Sequence, residues 1–251
     1  MKTIITIEAR MGSSRLPGKV LMESCGKPML QHMIERLKRC KLADDVVVAT
    51  TVEPGDDPII ELCDSIGCSY HRGSENNVLQ RLIDTAHHHS AAVIVQTTGD
   101  SPLIDPRITD KGIEVYRNSS VDYVSSRLVH SYPTGTDTQV YATSVLERVA
   151  ELTDDPIDQE HGSYYIYTHP ELFTMKDYGC DDLNFPNMRW CLDYPEDFKF
   201  IDAVYSRLYP TNPEFDSYDI LELLKREPEL GKINAMHPLD LTDFPYSETL
   251  D

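Results

Sequence analysis

The sequence predicts an α/β fold with a mostly parallel central sheet and helices on both of its faces. Through the first 120 residues, short runs of β-branched and apolar residues alternate with segments whose apolar residues recur at helical spacing. The runs at 45–50 and 92–97 are apolar for most of their length, which is typical of strands that helices cover on both sides. We therefore expect ligands to bind beyond the carboxyl ends of these strands.

The individual elements follow from local pattern and from capping residues. The first half predicts strands at 3–9, 45–50, 68–71 and 92–97 and helices at 28–37, 58–66, 78–88 and 105–116. Ser74 is expected to cap the helix that contains Arg81, and Asp105 is expected to cap the helix after it. The less regular second half predicts strands at 121–125, 138–142, 173–177 and 188–192 and helices at 143–152, 158–168, 195–208 and 217–226.

The composition argues against several classes of protein. The chain holds 42 acidic and 23 basic residues, for a net charge of −19, so we expect it to repel nucleic acids and to be drawn only weakly to anionic membranes. It has no run of about 20 apolar residues that would predict a membrane span, and its early charges do not resemble a secretory signal. Six cysteines without a CxxC pair favour reduced thiols in a cytoplasmic protein. The three histidines at 87–89 are expected at the solvated end of a helix.

The loop after the first strand concentrates positive charge. Between positions 10 and 19 it carries Arg10, Arg15 and Lys19 and no acid. Gly12 and Gly18 permit close backbone approach, so exposed N–H groups and the three cations form a candidate triphosphate pocket. The loop matches neither a Walker A sequence nor the GxGxxG dinucleotide pattern. The alternative is a solvated loop that offsets the acidic surface, but a position at a strand's carboxyl end favours binding.

Two aspartates are candidate Mg²⁺ ligands. Asp100 follows the predicted strand at 92–97, and Asp193 follows the one at 188–192. Mg²⁺ prefers hard oxygen ligands and takes one or two carboxylates together with phosphate oxygens. The two carboxylates can bind one Mg²⁺ together if those strand ends are neighbours in the sheet. Alternatively, Asp100 belongs only to a turn and Asp193 caps the next helix.

The first loop also carries a family signature. The segment from Ala9 to Lys19 resembles that of the acylneuraminate cytidylyltransferase-like proteins, in particular the branch of spore coat polysaccharide biosynthesis protein F. The resemblance continues in the family's order through 26–30, 72–75, 99–104 and 192–197, and it covers about residues 3–208. It implies a Rossmann-like nucleotidyltransferase (GT-A-like) fold, CTP as the donor, Mg²⁺ as the cofactor and a homodimer.

The resemblance also implies how the chain is divided and which residues act. We expect one domain over 1–251, with a nucleotide-binding half at 1–120, an acceptor-binding and dimerisation half at 121–210, and a C-terminal helix and tail at 211–251. The residues expected to act in catalysis are Arg10, Arg15, Lys19 and Asp100. Those expected to hold the nucleotide are Ala9, Arg10, Met11, Gly12, Ser13, Arg15, Lys19, Arg72, Ser74, Arg81, Thr97, Thr98 and Asp100. The metal is expected at Asp100 and Asp193. Within this set Arg72 and Ser74 frame the base, and Arg81 is alternatively a surface residue.

The acceptor region departs from the family pattern. The residues expected to bind the acceptor are Tyr132, Gly135, Asp137, Gln139, Glu160, His161 and Arg189. Gln159 replaces an arginine of the family and Gln139 replaces an acid, which points to a different acceptor. His161 is either a general base or a packed helix residue. The tyrosines at 164, 165 and 167 are expected at a subunit interface, and Trp190 is expected in the core.

These expectations describe a cytidylyltransferase that transfers CMP from CTP to a sugar acid or sugar-like acceptor in surface polysaccharide or glycoconjugate biosynthesis. Two alternatives stay open. One is a cytidylyltransferase for a phosphonate or another phosphorylated small molecule, and the other is a nucleotide-binding module without catalysis. The joint presence of the loop cations and the two aspartates speaks against the second. A nicotinamide-dependent oxidoreductase is disfavoured because the glycine fingerprint is missing.

Overall fold

A seven-stranded sheet forms the centre of the molecule. The computed structural model describes residues 1–129, 131–179 and 185–239. Their strands are β1 (Thr3–Glu8), β2 (Glu23–Ser24), β3 (Lys27–Pro28), β4 (Asp45–Thr51), β5 (Ser69–Gly73), β6 (Val93–Thr98), β7 (Tyr123–Ser125), β8 (Gln139–Ala142) and β9 (Met175–Asp177). The order in the sheet is β5-β4-β1-β6-β8-β7-β9, while β2 and β3 form a separate hairpin. Strands β5, β4, β1 and β6 are parallel, and only β8 runs against its neighbours. The predicted fold class is confirmed.

Helices cover both faces of this sheet. They are α1 (Met29–Leu37), α2 (Asp57–Ile66), α3 (Val78–His88), α4 (Pro106–Arg117), α5 (Thr143–Leu152), α6 (Pro156–His161), α7 (Tyr164–Thr168), α8 (Pro195–Leu208) and α9 (Ser217–Arg226). Side chains of β1 alternate between the faces: Ile5 and Ile7 share an apolar cluster with Met33 of α1, whereas Ile4 packs in a second cluster with Leu82 of α3. All five are fully buried. Burial of each contributes about 1.5–3 kcal/mol, so apolar packing fixes the sheet between two helical layers.

The elements predicted before residue 120 are present, with boundaries that differ by no more than two residues. The predicted cap at Asp105 is also confirmed, because its Oδ1 accepts a 2.9 Å hydrogen bond from the backbone N–H of Arg107. The predicted cap at Ser74 is wrong. Asn77 caps α3 and accepts from Gln80 N at 2.8 Å. The Ser74 hydroxyl accepts from the N–H of Asn77 instead.

The strand predicted at 188–192 is wrong as well. This extended segment lies between two loops, and its only bridge joins Arg189 to Thr134 within the described part of the chain. Its backbone bonds run from Thr134 N to Met188 O at 2.9 Å, from Trp190 N to Thr134 O at 2.8 Å and from Leu192 N to Asp100 O at 2.8 Å. Because its partners are loops, the apolar run forms no sheet strand. The last of these bonds nevertheless brings the chain before Asp193 to the backbone of Asp100.

Two other regions differ in detail from the prediction. The helix predicted at 158–168 is divided into α6 and α7, because Gly162 adopts a left-handed φ of 63° between them. The loop predicted from Arg10 to Lys27 contains a 3-10 turn at Lys19–Leu21 and most of the β2–β3 hairpin.

Several expectations concern features that this structure does not test. Cys180 and residues 240–251 lie outside the described residues, and the other five cysteines are free. Among the described helices none has the length and apolar character needed to cross a membrane. The homodimer and the cytoplasmic location stay predictions.

The crossing of two loops at Gly135 yields a test of this packing. Gly135 has a φ of 99°, and a Cβ there would lie 2.7 Å from both Trp190 C and Cys191 N. We expect Gly135→Ala to lower the free energy of unfolding by about 2–4 kcal/mol, because rigid backbone blocks the added carbon. The measurement is urea denaturation.

Gly26→Ala is the matched control. Gly26 also has a left-handed φ, of 74°, but a Cβ at this position would meet no atom within 4 Å, so only about 1 kcal/mol should be lost. An equal loss in both variants would contradict the close crossing.

Candidate active site

A cavity of about 370 Å³ opens where β1 and β6 end. The mostly parallel sheet brings the loops that follow these strands to the same edge. Residues from both halves of the chain line it. The residues predicted from the sequence that line it are Ala9, Arg10, Ser13, Arg15, Lys19, Arg81, Thr98, Asp100, Glu160, His161 and Asp193.

Backbone hydrogen bonds fold the candidate phosphate loop into a turn. The carbonyl of Met11 accepts from Ser13 N at 2.9 Å and from Gly18 N at 3.0 Å. Gly18 has a left-handed φ of 72°, which glycine adopts without strain, and the 3-10 turn that begins at Lys19 follows directly. Asp56 holds the start of the loop in place, because its Oδ1 accepts a 2.6 Å hydrogen bond from the backbone N–H of Met11. The loop is therefore a hydrogen-bonded turn, and Lys19 at its end lines the cavity.

Lys19 lies between the two aspartates. Its Nζ is 2.8 Å from Asp193 Oδ1 and 3.4 Å from Asp100 Oδ2. Only 12% of the lysine side chain is exposed. Burial opposes the charge of Lys19, but the two carboxylates outweigh it and raise the pKa of the ammonium group. Burial also disfavours the charge of Asp193, yet Lys19, Arg15 and Arg189 together lower the pKa of this carboxyl.

Asp100 lies in a tight turn at the end of β6. Its Oδ1 accepts from the Thr98 hydroxyl at 2.5 Å, and Gly99 N donates to Glu8 O at 2.8 Å. A Cβ at Gly99 would come within 3.0 Å of that same carbonyl. The turn interpretation and the site interpretation of Asp100 are thus compatible, because the turn is what presents the carboxylate to the cavity.

Arg189 fixes Asp193 from inside the protein. Its Nη2 donates to Asp193 Oδ2 at 3.2 Å, and its Nε and Nη2 donate to the two oxygens of Asp197 at 2.8 and 2.9 Å. Asp197, not Asp193, closes the start of α8, since it accepts from Asp193 N and Tyr194 N. The helix-cap interpretation of Asp193 is therefore wrong. Arg189 does not line the cavity, so the structure gives it a positioning role.

Several residues expected to hold the nucleotide lie elsewhere. Arg72 donates to Thr51 O at 2.8 Å and pairs with Asp57 at 2.8 Å, and Thr97 donates internally to Thr6 O. The residues of the nucleotide set that do not line the cavity are Met11, Gly12, Arg72, Ser74 and Thr97. Met11 and Gly12 nevertheless shape the loop that lines it.

The acceptor set is divided in the same way. Glu160 and His161 are exposed at the rim of the cavity, which disagrees with the packed interpretation of His161. The acceptor-set residues that do not line the cavity are Tyr132, Gly135, Asp137, Gln139 and Arg189. Gln139 is buried, with Oε1 accepting from Tyr123 and Ser163 hydroxyls at 2.5 Å. Trp190 is 1% exposed, so the core prediction for it is confirmed.

Six residues of the cavity lining were not among the predicted site residues: Glu8, Ser14, Val20, Glu75, Val78 and Gly99. Glu8 ends β1, lines the cavity and interacts electrostatically with Arg81 of α3. Burial raises the pKa of Glu8 to about 7, partly opposed by Arg81 and by a hydrogen bond from Gln96. The only sequence signal was an acid two positions before the first cation of the basic loop.

The profile of the cytidylyltransferase family matches residues 4–221. The chain belongs to this family. The spore coat polysaccharide biosynthesis protein SpsF of Bacillus subtilis is 30% identical to it over 234 residues, covering 90% of this chain and 95% of that protein.

Solved structures agree with this assignment. A cytidylyltransferase from Leptospira borgpetersenii serovar Hardjo-bovis is 31% identical, with a TM-score of 0.88 over 95% of this chain and 99% of that one. A CMP:2-keto-3-deoxy-manno-octonic acid synthetase in complex with CTP is 20% identical, with a TM-score of 0.63 over 82% of this chain and 99% of that one. The latter shows the shared fold. The family resemblance, the nucleotidyltransferase fold and the enzyme class expected from the sequence are confirmed.

The buried part of this cytidylyltransferase site yields a second test. We expect Arg189→Leu to lower the free energy of unfolding by about 3–5 kcal/mol, because it leaves the fully buried Asp197 without its ion pair. Urea denaturation measures this loss.

Arg15→Leu is the control for that variant. Arg15 contacts the same Asp193 at 3.3 Å, but its side chain is 50% exposed, so we expect a change of no more than about 1 kcal/mol. Equal shifts of the urea midpoint in the two variants would contradict a special contribution of the buried Arg189–Asp197 ion pair to stability.

Proposed function

We propose that the protein transfers CMP from CTP to an oxygen of a sugar acid or sugar-like acceptor, with Mg²⁺, and releases pyrophosphate. The observation that carries this proposal is the position of Lys19, which ends the basic loop and lies between Asp100 and Asp193. Family membership supports the nucleotide and the transfer reaction. The acceptor class is supported by two relatives, whose names refer to spore coat polysaccharide and to 2-keto-3-deoxy-manno-octonic acid.

The basic loop suits the triphosphate. Arg10, Arg15 and Lys19 line one cavity in a chain of net charge −19, so positive charge is concentrated where a polyanion would bind. Arg15 is half exposed and Arg10 only weakly engaged by Glu75 at 3.1 Å, so both can turn to phosphate oxygens at little cost. Charge-assisted hydrogen bonds of this kind are among the stronger ones in proteins.

The two aspartates fit Mg²⁺. Both are hard oxygen donors, and both already contact one cation, the Lys19 ammonium group. The described residues contain no cluster of three or more His, Cys, Asp or Glu side chains suited to a metal. Two carboxylates completed by phosphate oxygens and water is a usual Mg²⁺ arrangement. Asp100 and Asp193 would hold the ion, which would neutralise charge on the phosphates.

The reaction itself requires little from the protein beyond position and charge. The oxygen of an acceptor hydroxyl forms a bond to the α-phosphorus and its proton passes to water, while the bond from that phosphorus to the oxygen it shares with the β-phosphate breaks and releases pyrophosphate. Lys19 and the loop arginines stabilise the negative charge that grows on the phosphoryl oxygens and on the leaving group. Glu160 and His161 lie at the rim of the same cavity, where an acceptor would enter.

The proposal is tested by pyrophosphate release from CTP and Mg²⁺ with a panel of acceptors. We expect release with a sugar acid and none without an acceptor. Release only with phosphonates or phosphorylated alcohols would replace the proposed acceptor class. Tight CTP binding without turnover on any acceptor would favour a binding module.

Lys19→Ala tests whether Lys19 contributes to CTP binding. We expect it to weaken CTP affinity by about 10- to 100-fold, since a charge-assisted contact of roughly 1.5–3 kcal/mol is lost. Calorimetric titration measures the affinity. The control is Lys225→Ala, which removes a lysine on the surface of α9 and should leave CTP affinity unchanged. Wild-type affinity in Lys19→Ala would remove Lys19 from the phosphate site.

Asp100→Asn is expected to act on turnover. It should lower kcat by about 10²- to 10³-fold with a smaller effect on CTP affinity, because a metal-binding charge is removed from the reacting phosphate. Steady-state pyrophosphate release measures kcat, and the exposed Asp64→Asn on α2 serves as the control. Undiminished Mg²⁺-dependent turnover would rule out the assigned role of Asp100.

A further inference from the structure

A segment near the end of the described chain packs against the residues around Asp193. Residues 234–238, which we call the C-terminal strap, follow the 3-10 turn at Leu230–Lys232 and lie beyond residue 221, where the match to the family profile ends. The strap does not line the cavity. Hydrogen bonds and a ring stack nevertheless join it to residues 189–197, the stretch that has Asp193 at its middle. The strap can therefore act on the site through this stretch.

Asn234 of the strap bonds to the chain on both sides of Asp193. It is 3% exposed, and its Nδ2 donates to Arg189 O at 3.0 Å and to Asp197 Oδ1 at 2.9 Å. Arg189 lies four residues before Asp193, and Asp197 lies four residues after it. A carbonyl and a carboxylate can only accept hydrogen bonds, so the amide nitrogen of Asn234 must face them. This one buried side chain thus links the two residues that border the metal candidate.

The strap also completes the surroundings of the Arg189 guanidinium. Its Nη1 donates to Pro238 O at 3.2 Å. Its Nε and Nη2 donate to Asp197, and Nη2 also donates to Asp193 Oδ2 at 3.2 Å. Because a guanidinium is planar and rigid, partners on two nitrogens fix the direction of the third. Rotation of Arg189 away from Asp193 would therefore break several hydrogen bonds at once.

A ring stack attaches the strap to the residue that follows Asp193. The ring of His237 lies parallel to that of Tyr194, with 3.9 Å between the centroids and 3° between the planes. His237 Nε2 is also 3.0 Å from Glu196 Oε2 in the first turn of α8. These contacts hold the strap against the start of α8, where Asn234 reaches its two partners.

We propose that Asn234 is a positioning residue for the metal site, which orients the carboxylate of Asp193 by fixing Arg189. This inference rests on the proposed function, since it concerns the metal assigned there. Asn234 acts on Arg189 directly through the backbone carbonyl and indirectly through Asp197. Arg189 holds Oδ2 of Asp193, and Oδ1 is the oxygen that lies 2.8 Å from Lys19 Nζ. Groups that orient a metal ligand typically contribute about 10- to 100-fold to metal affinity.

The experiment measures Mn²⁺ affinity by electron paramagnetic resonance, with Mn²⁺ in place of Mg²⁺ because both prefer oxygen ligands. Mn²⁺ is titrated into CTP with the protein in excess, so that all of the nucleotide is bound. Asn234→Leu keeps the approximate size of the side chain but removes both donated hydrogen bonds. We expect it to weaken Mn²⁺ affinity about tenfold, because Asp193 can then adopt orientations that do not suit the ion.

Leu230→Ala is the matched control for a loss of stability alone. Leu230 is 7% exposed and belongs to the turn just before the strap, so its truncation should lower the melting temperature and leave Mn²⁺ affinity unchanged. If Asn234 acts only on stability, the two variants will bind Mn²⁺ equally well, and that result overturns the inference.

A double variant tests whether Asn234 acts through Asp193. Asp193→Asn should itself weaken Mn²⁺ affinity, because it removes a charged ligand. The addition of Asn234→Leu to Asp193→Asn should cause no further loss. A further loss of about tenfold, as large as in the single variant, would show a path that does not involve Asp193 and would overturn the inference.

The outcomes separate this inference from the proposed function. Wild-type Mn²⁺ affinity in Asn234→Leu together with weakened affinity in Asp193→Asn overturns the inference and leaves the metal assignment intact. Wild-type affinity in Asp193→Asn, or no Mn²⁺ binding by the wild-type CTP complex, defeats the metal assignment and this inference with it. Should Asn234→Leu not fold, as judged by circular dichroism, Asn234→Ser keeps one donor at a shorter reach and must weaken Mn²⁺ affinity more than Leu230→Ala does.

Discussion

The ion pairs of Lys19 with Asp100 and Asp193 are the interaction on which the site depends. They join three segments separated by 81 and 174 positions in the sequence. A nearly buried ammonium between two carboxylates is stable only while both partners stay in place. The same balance makes the cluster responsive, because a metal ion can compete for the carboxylates and a phosphate can compete for the lysine.

Two structural devices hold the partners of Lys19. The parallel strands β1 and β6 end side by side, which places the basic loop and Asp100 at one edge of the sheet. The segment at 188–192 arrives there differently, through backbone bonds to two loops. Arg189 then anchors Asp193 from the protein interior. The basic loop and Asp100 thus rest on regular sheet geometry, whereas Asp193 rests on a buried ion-pair network.

The sequence predicted the parts of this site that depend on local pattern. The loop cations and Asp100 could be located because each follows a strand whose apolar run is unmistakable. Asp193 was placed at the site on the basis of a predicted strand at 188–192 that is not present. The segment reaches the site through hydrogen bonds to distant loops, and such bonds leave no local pattern in the sequence. Glu8 was missed because a single acid at the end of a strand leaves no local pattern that shows which residues of the fold surround it. Arg72 was misplaced because the direction of one side chain at a strand end depends on tertiary partners such as Asp57.

The most direct test of this arrangement is a crystal structure with CTP and Mn²⁺ in place of Mg²⁺, with the metal located by anomalous scattering. We predict an anomalous peak between the carboxylates of Asp100 and Asp193, with phosphate density on the loop that carries Lys19. A triphosphate bound elsewhere, or one bound on this loop while Lys19 still pairs with both aspartates and no metal lies between them, would contradict it.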